Sequence, residues 1–468
     1  DGPAEGGRVL RPLVAAILFA LGLGAGAQEL EEGEPLPPWR FHFPTGATLT
    51  PEHPDVPQRL LVVSSNTDLR YRAGRVHAFD LEALDTLVDD ALASCVGDDC
   101  PVAEISDLTP ALVGSVEIGN LAGQVAATTL DGEGLPPIRA FVPVRGSNTV
   151  VAVDVDAEGI RCSRLDDRCT EEGVIFARED PFLVTTGLGL VFVGHGTLFR
   201  ETRAAVGVAP ASAEIWASGS GAMSLVDVGS NGVGGLAVGN CRGEGGEARC
   251  TLFANARSFA DAQRIFAFDF TRSAFPVSPL FSRNLAPAQD GQDSRGLAIS
   301  PSAPRAYLAQ RAPDALGIVD VSRMPALPSD GCILPEGVEL PEDAACPDLP
   351  PASDAPSFAT LALSPAPQGP LFTAVIEREG PDGEARDLVV MGTERSLAFF
   401  DADTTALVAN VETSRGPSAV AIAAREEGVR LYVPVFERSV VEVVDLPDLF
   451  RPESARLVAS LGRPRGGG

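Results

Sequence analysis

The segment Gly416–Leu461 constrains the fold of the whole chain more than any other. It holds four short apolar runs, Ala419–Ala423, Arg430–Val435, Ser439–Leu446 and Arg456–Leu461, separated by Gly, Pro, Glu and Asp. Runs of this length, rich in Val and Leu and bounded by turn residues, read as β-strands, and their short connections make an antiparallel meander. One four-stranded sheet is too small to bury both of its faces, so such a unit needs copies of itself to stack on.

The copies are present. The third run, an apolar strand ending in Asp before a turn, recurs seven times, at Asp80, Asp154, Asp227, Asp269, Asp320, Asp401 and Asp445. The second run precedes most of them as RLLVVSS, RAFVPV, GLVFVG, TLFANA, RAYLAQ, DLVVMG and RLYVPV. The first run appears as PTGATLTP, GQVAATTL, PFLVTTG, VGGLAVGN, SRGLAISP, PSFATLALSP and PSAVAIAA, commonly after Gly or Pro. This pattern resembles the YVTN-type, WD40-like β-propeller repeat of secreted bacterial proteins, and Arg145–Val155 (RGSNTVVAVDV) is its best local instance. The resemblance spans roughly residues 43–461. It implies an all-β fold, a seven-bladed β-propeller of four-stranded antiparallel blades with loop insertions, over residues 43–462. It implies no particular activity, because propellers host many functions.

At 468 residues, length alone suggests about three domains. The repeat replaces that expectation with one ring. A net charge of −28 argues against nucleic acid and anionic membrane surfaces as partners, and its simplest role is solubility. The chain has no lysine, so all 36 of its basic residues are arginine, and Schiff-base or lysine-nucleophile chemistry is excluded.

Residues 1–27 read as a secretory signal: Arg8 and Arg11 precede the apolar run Leu13–Leu23, and Ala25-Gly26-Ala27 offers a small-residue cleavage site. The apolar run is short for a bilayer span of ~20 residues, and no cysteine follows it to carry a lipid anchor. Translation is expected to start at Val9, with residues 1–8 upstream; an intact precursor peptide containing Asp1–Arg8 would refute this. Residues 28–42 form an acidic, Pro-rich linker, and 463–468 a disordered tail. Within this lead-in, Trp39–Phe43 alternates apolar and polar, so it is an extra strand pairing with the last blade or a disordered lead-in. The expected product is a monomer, periplasmic or extracellular, not inserted in a membrane after cleavage.

Eight cysteines fit export. They fall in close pairs, Cys95 and Cys100, Cys162 and Cys169, Cys241 and Cys250, Cys332 and Cys346, without CxxC spacing or a neighbouring histidine. Four local disulfides are the economical reading, rather than zinc.

Taken in order, blade one uses Thr45–Thr50, Arg59–Ser64, Gly74–Leu81 and Leu112–Ile118, with a helical insertion marked by Leu84, Leu87, Val88, Ala91 and Leu92. Blade two runs from Gln124 to about Ala177. Blade three has its second strand ending near Gly194 and its third near Met223, after a long loop holding Trp216. Blade four carries Cys241 and Cys250 between its first two strands. Blade five ends at Val321, before a Pro-rich insertion. Blade six starts at Ser357 and contains the acidic turn EREGPDGEAR. In such meanders the 1–2 and 3–4 turns share one face of the disc and the 2–3 turns the other. All four cysteine pairs then project from the first face. Blade seven shows no strand exchange with blade one, so closure rests on packing or on Trp39–Phe43.

The terminal aspartates recur once per blade, as expected of Asx-type turn residues rather than a metal or acid–base set. Asp154-x-Asp156-x-Glu158-Gly159 resembles the start of a calcium loop, but Leu165 stands where the bidentate Glu belongs. No metal, cofactor or catalytic set is read: there is no Gly-x-Ser-x-Gly elbow, phosphate-binding loop or His-Glu-x-x-His. The candidate ligand residues are the arginines of the 2–3 turns, namely Arg70 or Arg72, Arg145, Arg257, Arg311, Arg395 and Arg438, with His195 in the remaining blade. Guanidinium groups suit carboxylates or phosphates; the plainer reading is that arginine is the only cation the chain has and that turns are exposed. The sequence therefore points to an exported, non-enzymatic propeller scaffold binding a protein or small anionic ligand. The alternative is a lactonase-like hydrolase at the channel mouth, for which His195, Glu394, Glu437 and the turn arginines would have to converge.

Overall fold

A computed structural model describes residues 33–94, 102–129, 136–144, 146, 149–163, 169, 182–185, 190–195, 203–208, 223–227, 233–242, 249–256, 264–271, 281–284, 294–311, 314–321, 358–362, 368–380 and 382–465. The described residues form seven sheets. The first is β1 Pro44–Leu49, β2 Arg59–Ser64, β3 Gly74–Asp80 and β5 Leu112–Ile118, with helix α1 Leu81–Ala93 and a short strand β4 Ala103–Ile105 inserted before β5. The second is β6 Ala126–Thr129, β7 Ile138–Val144, β8 Thr149–Val155 and β9 Ile160–Cys162. The third is β10 Phe182–Thr185, β11 Leu190–His195, β12 Arg203–Val208 and β13 Met223–Asp227. The fourth is β14 Val233–Arg242, β15 Arg249–Ala256, β16 Arg264–Thr271 and β17 Phe281–Asn284. The fifth is β18 Ser294–Ile299, β19 Arg305–Arg311, β20 Asp314–Asp320 and β21 Phe358–Ala362. The sixth is β22 Phe372–Glu379, β23 Ala385–Gly392, β24 Ser396–Asp401 and β25 Ala406–Glu412. The seventh is β26 Ala421–Ala424, β27 Val429–Val435, β28 Val440–Leu446 and β29 Arg456–Leu461, extended by β4. Apart from β4, each strand pairs antiparallel with its predecessor in the sheet.

The second strand of a sheet is held between neighbours on both edges and covered on both faces. This is why RLLVVS, IRAFVPV and VRLYVPV read as continuous apolar runs, and why every residue of β2, β7 and β27 is buried. Successive side chains of a strand serve opposite neighbours. Leu60, Val62 and Phe79 join a core with the seventh sheet, whereas Leu61, Val63, Val76 and Ala78 join one with the second.

First strands touch in succession: β1 with β6, β6 with β10, β10 with β14, β14 with β18, and β18 with β22. The sixth and seventh sheets share one core through Leu388, Val390, Leu431 and Val433. β26 and β27 of the seventh sheet then pack on β1 of the first. The result is an all-β, propeller-like arrangement in which the last sheet meets the first.

Three boundaries differ from those expected. In the third sheet Met223–Asp227 is the fourth strand, and the third is Arg203–Val208, which carries no terminal Asp and so escaped the marker. Phe358–Ala362 closes the fifth sheet rather than opening the sixth, because a fourth strand separated from the third by a long insertion looks like the start of a new unit. The sixth sheet begins at Phe372, and its acidic turn is a tight connection in which Gly380 N–H donates to the Glu384 carbonyl.

Cysteine placement also differs. Cys162 ends the fourth strand of the second sheet, so its disulfide with Cys169 follows that strand instead of lying in the 3–4 turn. It is buried in the core between the first and second sheets, where Cys169 N–H donates to the Glu117 carbonyl, and does not project from a face. Cys241 lies on β14 and Cys250 on β15, flanking the 1–2 turn as expected. Cys95, Cys100, Cys332 and Cys346 lie outside the described residues, as do the expected signal segment 1–27 and the stretch 28–32.

The junction between the seventh and first sheets departs furthest from expectation. The insertion of the first sheet crosses to the seventh, and β4 pairs in parallel with β29, Ala103 opposite Ala459 and Ile105 opposite Leu461. Helix α1 is started by Asp80, whose Oδ1 accepts the Ala83 N–H at 3.0 Å. Its buried stripe Leu81, Leu84 and Val88 packs with Tyr432, Val441 and Val443. Two of its carboxylates reach Arg430 of β27, Asp85 at 2.9 Å and Asp89 at 2.8 Å. Trp39–Phe43 forms no strand. Phe41 is instead buried against Phe79 and Leu461, and Phe43 N–H donates to Ser439 Oγ at 3.1 Å.

Candidate functional site

At the end of the sheets that carries the 1–2 and 3–4 turns, the terminal aspartates meet arginines that open the second strand. Arg59 lies opposite Asp80, Arg139 opposite Asp154, and Arg430 opposite Asp445. Each pair is bonded, Arg139 Nε to Asp154 at 2.7 Å and Arg430 Nε to Asp445 at 2.6 Å. Turn bonds alone were expected of these aspartates; Asp401 does make one, accepting the Thr404 N–H at 2.7 Å. The leading Arg of RLLVVSS, RAFVPV and RLYVPV was the available signal for the rest. Burial opposes the charge on Arg430, but Asp445, Asp89 and Asp85 outweigh it and raise its pKa. Asp156 of the calcium-like segment accepts the Glu158 and Gly159 N–H groups at 3.0 Å and pairs with Arg161 at 2.5 Å, while Asp154 is bonded to Arg139.

The opposite end carries the 2–3 turns and the links between sheets. The structure engages the candidate residues there separately. Arg72 donates to both Glu117 oxygens, at 3.0 and 2.8 Å, and Arg75 adds a third bond at 2.9 Å. Arg438 donates to Ser414 Oγ at 3.1 Å, with Glu104 at 3.8 Å and Glu442 at 3.9 Å. Arg311 ends β19 opposite Asp314. The Arg395 carbonyl accepts the Thr413 N–H. His195 ends β11 opposite Arg203, with only its backbone described, and Arg145 and Arg257 lie outside the described residues. Glu394 and Glu437 do come together: Arg415 bridges them at 2.9 and 3.3 Å. All three side chains are half-exposed, which makes this a solvated ion triad rather than an acid–base pocket.

Where the seventh, first and second sheets meet, this end is closely tied. Asn66 donates through Nδ2 to the Tyr71 carbonyl and to Asn120 Oδ1, both at 2.6 Å. His42 Nε2 lies 2.6 Å from Asp68 Oδ1, and Arg465 is 3.3 Å from the other Asp68 oxygen. Burial lowers the His42 pKa despite Asp68, so the ring is neutral at pH 7 and Nε2–H donates. Burial also acts on Asp68, raising its pKa, but the bonds from His42 and the Arg70 amide and the nearby Arg465 hold it below the usual carboxylate range. The Arg465 guanidinium stacks 4.6 Å from the Phe43 ring centroid, and Arg70 lies 5.8 Å from that of Tyr71. The cluster joins residues far apart in sequence, and no local pattern announces it.

Beneath it, Ser64 Oγ lies 2.9 Å from His77 Nε2, and His77 Nδ1 lies 2.8 Å from the Pro38 carbonyl. The carbonyl can only accept, so Nδ1 carries the proton and Ser64 donates to Nε2. That is the relation of a nucleophile to a base. Both side chains are 0% exposed and Ser64 Oγ also accepts the His42 N–H, so here the pair anchors the N-terminal segment. Burial pushes the His77 pKa down to about 3.

No family model matches the chain, and no curated protein matches it in sequence. Among solved structures it is similar to hydrazine synthase of Kuenenia stuttgartiensis, at 12% identity over 90% of this chain and 98% of that one, with a TM-score of 0.53. A chain of the mitotic checkpoint complex matches at 10% identity over 73% of this chain and 79% of that one, with a TM-score of 0.39. At 12% identity the first likeness is one of fold alone, a propeller-like arrangement of sheets, and the second carries no argument.

Proposed function

We propose that the chain is an exported, seven-bladed β-propeller of the YVTN type that works as a binding scaffold. Its ligand is a protein or a small molecule bearing carboxylate or phosphate groups, held on the face of the 2–3 turns. The observation that carries the reading is the continuity of that face. Arg415 spans the turns of the sixth and seventh sheets, Ser439 ties the seventh to the chain entering the first, and Asn66 ties the first to the link into the second. Turns fixed to one another in this way present a preorganised platform, which lowers the ordering cost of binding. Arginine recurs along it, in a protein whose overall charge repels acidic ligands.

The test uses the mature protein as bait in extracts of the native envelope and medium, followed by photo-cross-linking of the captured material. Amine-directed reagents are unsuitable, since the chain has no lysine. Cross-links concentrated at residues 66–73, 393–395 and 436–438 are expected. Cross-links confined to the opposite turns, residues 380–384 and 425–428, or turnover of a lactone panel by the pure protein, would overturn it.

A further inference from the structure

Among the described residues, six non-glycine residues have positive φ: Phe43, Asn66, Leu69, Leu121, Thr405 and Ser439. All but Thr405 lie in the one cluster where the seventh, first and second sheets meet. Phe43 N–H donates to Ser439 Oγ, its carbonyl accepts the Ser65 N–H, and the Ser65 carbonyl accepts the Leu121 N–H. Most have evident occupations. Asn tolerates the left-handed region, and Asn66 is buried with its amide bonded. Phe43 and Ser439 are buried.

Leu69 is different. Its φ is +55°, and its side chain is 43% exposed. A leucine there costs backbone energy that glycine or asparagine would avoid, and its side chain is only partly buried in return. Strain of this kind at a residue that stays largely exposed is characteristic of a residue kept for contact with something else.

The surroundings of Leu69 say what that is. Asp68 beside it touches His42, and Trp39, three residues before His42, is 44% exposed. Asp68 pairs with Arg465 at 3.3 Å and accepts the backbone N–H of Arg70, whose guanidinium lies over the neighbouring Tyr71 ring, and Arg40 stands two residues before His42 and acts on its charge. Among the described residues neither Arg40 nor Arg70 forms an ion pair. A locally cationic surface carrying an exposed Trp and Leu, on a rigid base, has the composition of an interface centre, where Trp, Tyr and Arg dominate.

We propose that this surface, formed by Trp39, Arg40, Leu69, Arg70 and Arg465, docks an acidic protein segment that also carries apolar side chains. Carboxylates take the place opposite the arginines, and apolar groups cover Trp39 and Leu69. The proposal rests on the scaffold reading above and narrows it to one place and one partner chemistry. The apolar half of the surface selects the occupant: nucleic acid would offer phosphates to the arginines but no aliphatic groups to cover Leu69.

The probe is a fluorescein-labelled peptide of alternating glutamate and leucine, titrated with the full mature chain and followed by polarisation. A lysine–leucine peptide, a glutamate–serine peptide and a single-stranded oligonucleotide serve as controls. Saturable binding of the glutamate–leucine peptide alone is expected, weakening with salt. It should fall about tenfold or more in Arg70→Ala/Arg465→Ala and in Trp39→Ala. The decisive variant is Leu69→Gly. Glycine relieves the strained backbone, so the variant should melt higher than the parent and bind the probe more weakly. A Leu69→Gly chain that melts higher and binds equally well refutes the proposal, as do equal binding of the lysine–leucine peptide or oligonucleotide, or no saturable binding. Should the probe bind but respond only to Arg395→Ala or Arg438→Ala, this surface is wrong while the wider scaffold reading stands. If captured partners cross-link only to the opposite turns, that reading itself fails.

Discussion

The first sheet has two neighbours, and it joins them by different means. Toward the second sheet it presents Leu61, Val63, Val76, Ala78 and Ile118 to Ile138, Val142, Val151 and Val153, with the Cys162–Cys169 disulfide in the same core. Toward the seventh it presents Leu60, Val62 and Phe79, but adds Arg430 with its three carboxylates, the β4–β29 pairing, and His77 anchoring the N-terminal segment. The chain runs directly from the first sheet into the second, and that short link restricts how the two can pack. The seventh sheet has no such link to the first. Apolar contact is non-directional and tolerates sliding. Ion pairs and strand pairing do not, so directional bonds fit the junction where chain connectivity leaves register undefined.

The sharpest way to break this comparison is Arg430→Ala. Its guanidinium is buried and bonded to Asp85, Asp89 and Asp445, so truncation leaves Asp445 without its counter-ion, while Asp85 and Asp89 keep only Arg425. Removing one partner of a buried pair costs about 3–5 kcal/mol. Arg139→Ala, which disrupts a buried pair inside the second sheet, serves as the control. Both variants should lower the midpoint of denaturation. Only Arg430→Ala should speed amide exchange in residues 81–93 and 456–461. Equal exchange there in both variants would mean that the ion cluster does not hold the junction.

The junction with the seventh sheet is also expected to be the acid-sensitive one. His77 and Phe79 face it, whereas Val76 and Ala78 face the second sheet. With a folded pKa of about 3 against 6.5 unfolded, His77 binds protons mainly when the chain unfolds. Its contribution is therefore complete above pH 6.5 and is lost as the pH falls toward 3. Between pH 7 and 4 this amounts to about 3 kcal/mol. His77→Gln, which can still donate to the Pro38 carbonyl and accept from Ser64, should flatten the pH dependence of stability in that window. An unchanged slope would place the acid sensitivity elsewhere.

On the other side, the double variant Cys162→Ser/Cys169→Ser should cost about 2–3 kcal/mol, the loop entropy of a short closed segment. It should do so without raising exchange in residues 81–93. Should that helix loosen as well, the two junctions are coupled and the contrast between them is one of chemistry only.

The regular parts of this architecture were legible in the sequence because a buried central strand has no polar face to disguise it. RLLVVS and VRLYVPV announce themselves, and helix α1 shows in the spacing of Leu84, Leu87 and Val88. Elsewhere local rules gave out. Arg203–Val208 lacks the terminal Asp, and Phe358–Ala362 is a five-residue run whose sheet is decided by partners far away in the chain. The crossing of β4 to the seventh sheet was invisible for a related reason: Ala-Glu-Ile carries almost no strand signal, and its partner lies at the other end of the chain. The cluster around Asp68 was hidden likewise. Its members are ordinary turn residues until folding brings residues 39–42, 66–71 and 465 together. Leu69 carried a local oddity, a bulky and largely exposed residue in a tight turn, and that oddity needs φ to be recognised.

The smallest expected effect is Arg415→Ala, and it tests the premise that burial, rather than the number of bridges, distinguishes these connections. Like Arg430, Arg415 spans elements and contacts more than one carboxylate, Glu394 at 2.9 Å and Glu437 at 3.3 Å. Unlike Arg430, it is half-exposed, as are both partners, so water and salt screen each bond and its loss leaves no desolvated charge. The cost should stay within about 0.5 kcal/mol and shrink further in 0.5 M salt, while that of Arg430→Ala should barely respond to salt. Denaturation of both variants at low and high salt decides between the two explanations. If Arg415→Ala is as damaging as Arg430→Ala, then the link between the sixth and seventh sheets depends on surface bridges, and the junction of the seventh with the first is not special in being closed by buried, directional bonds.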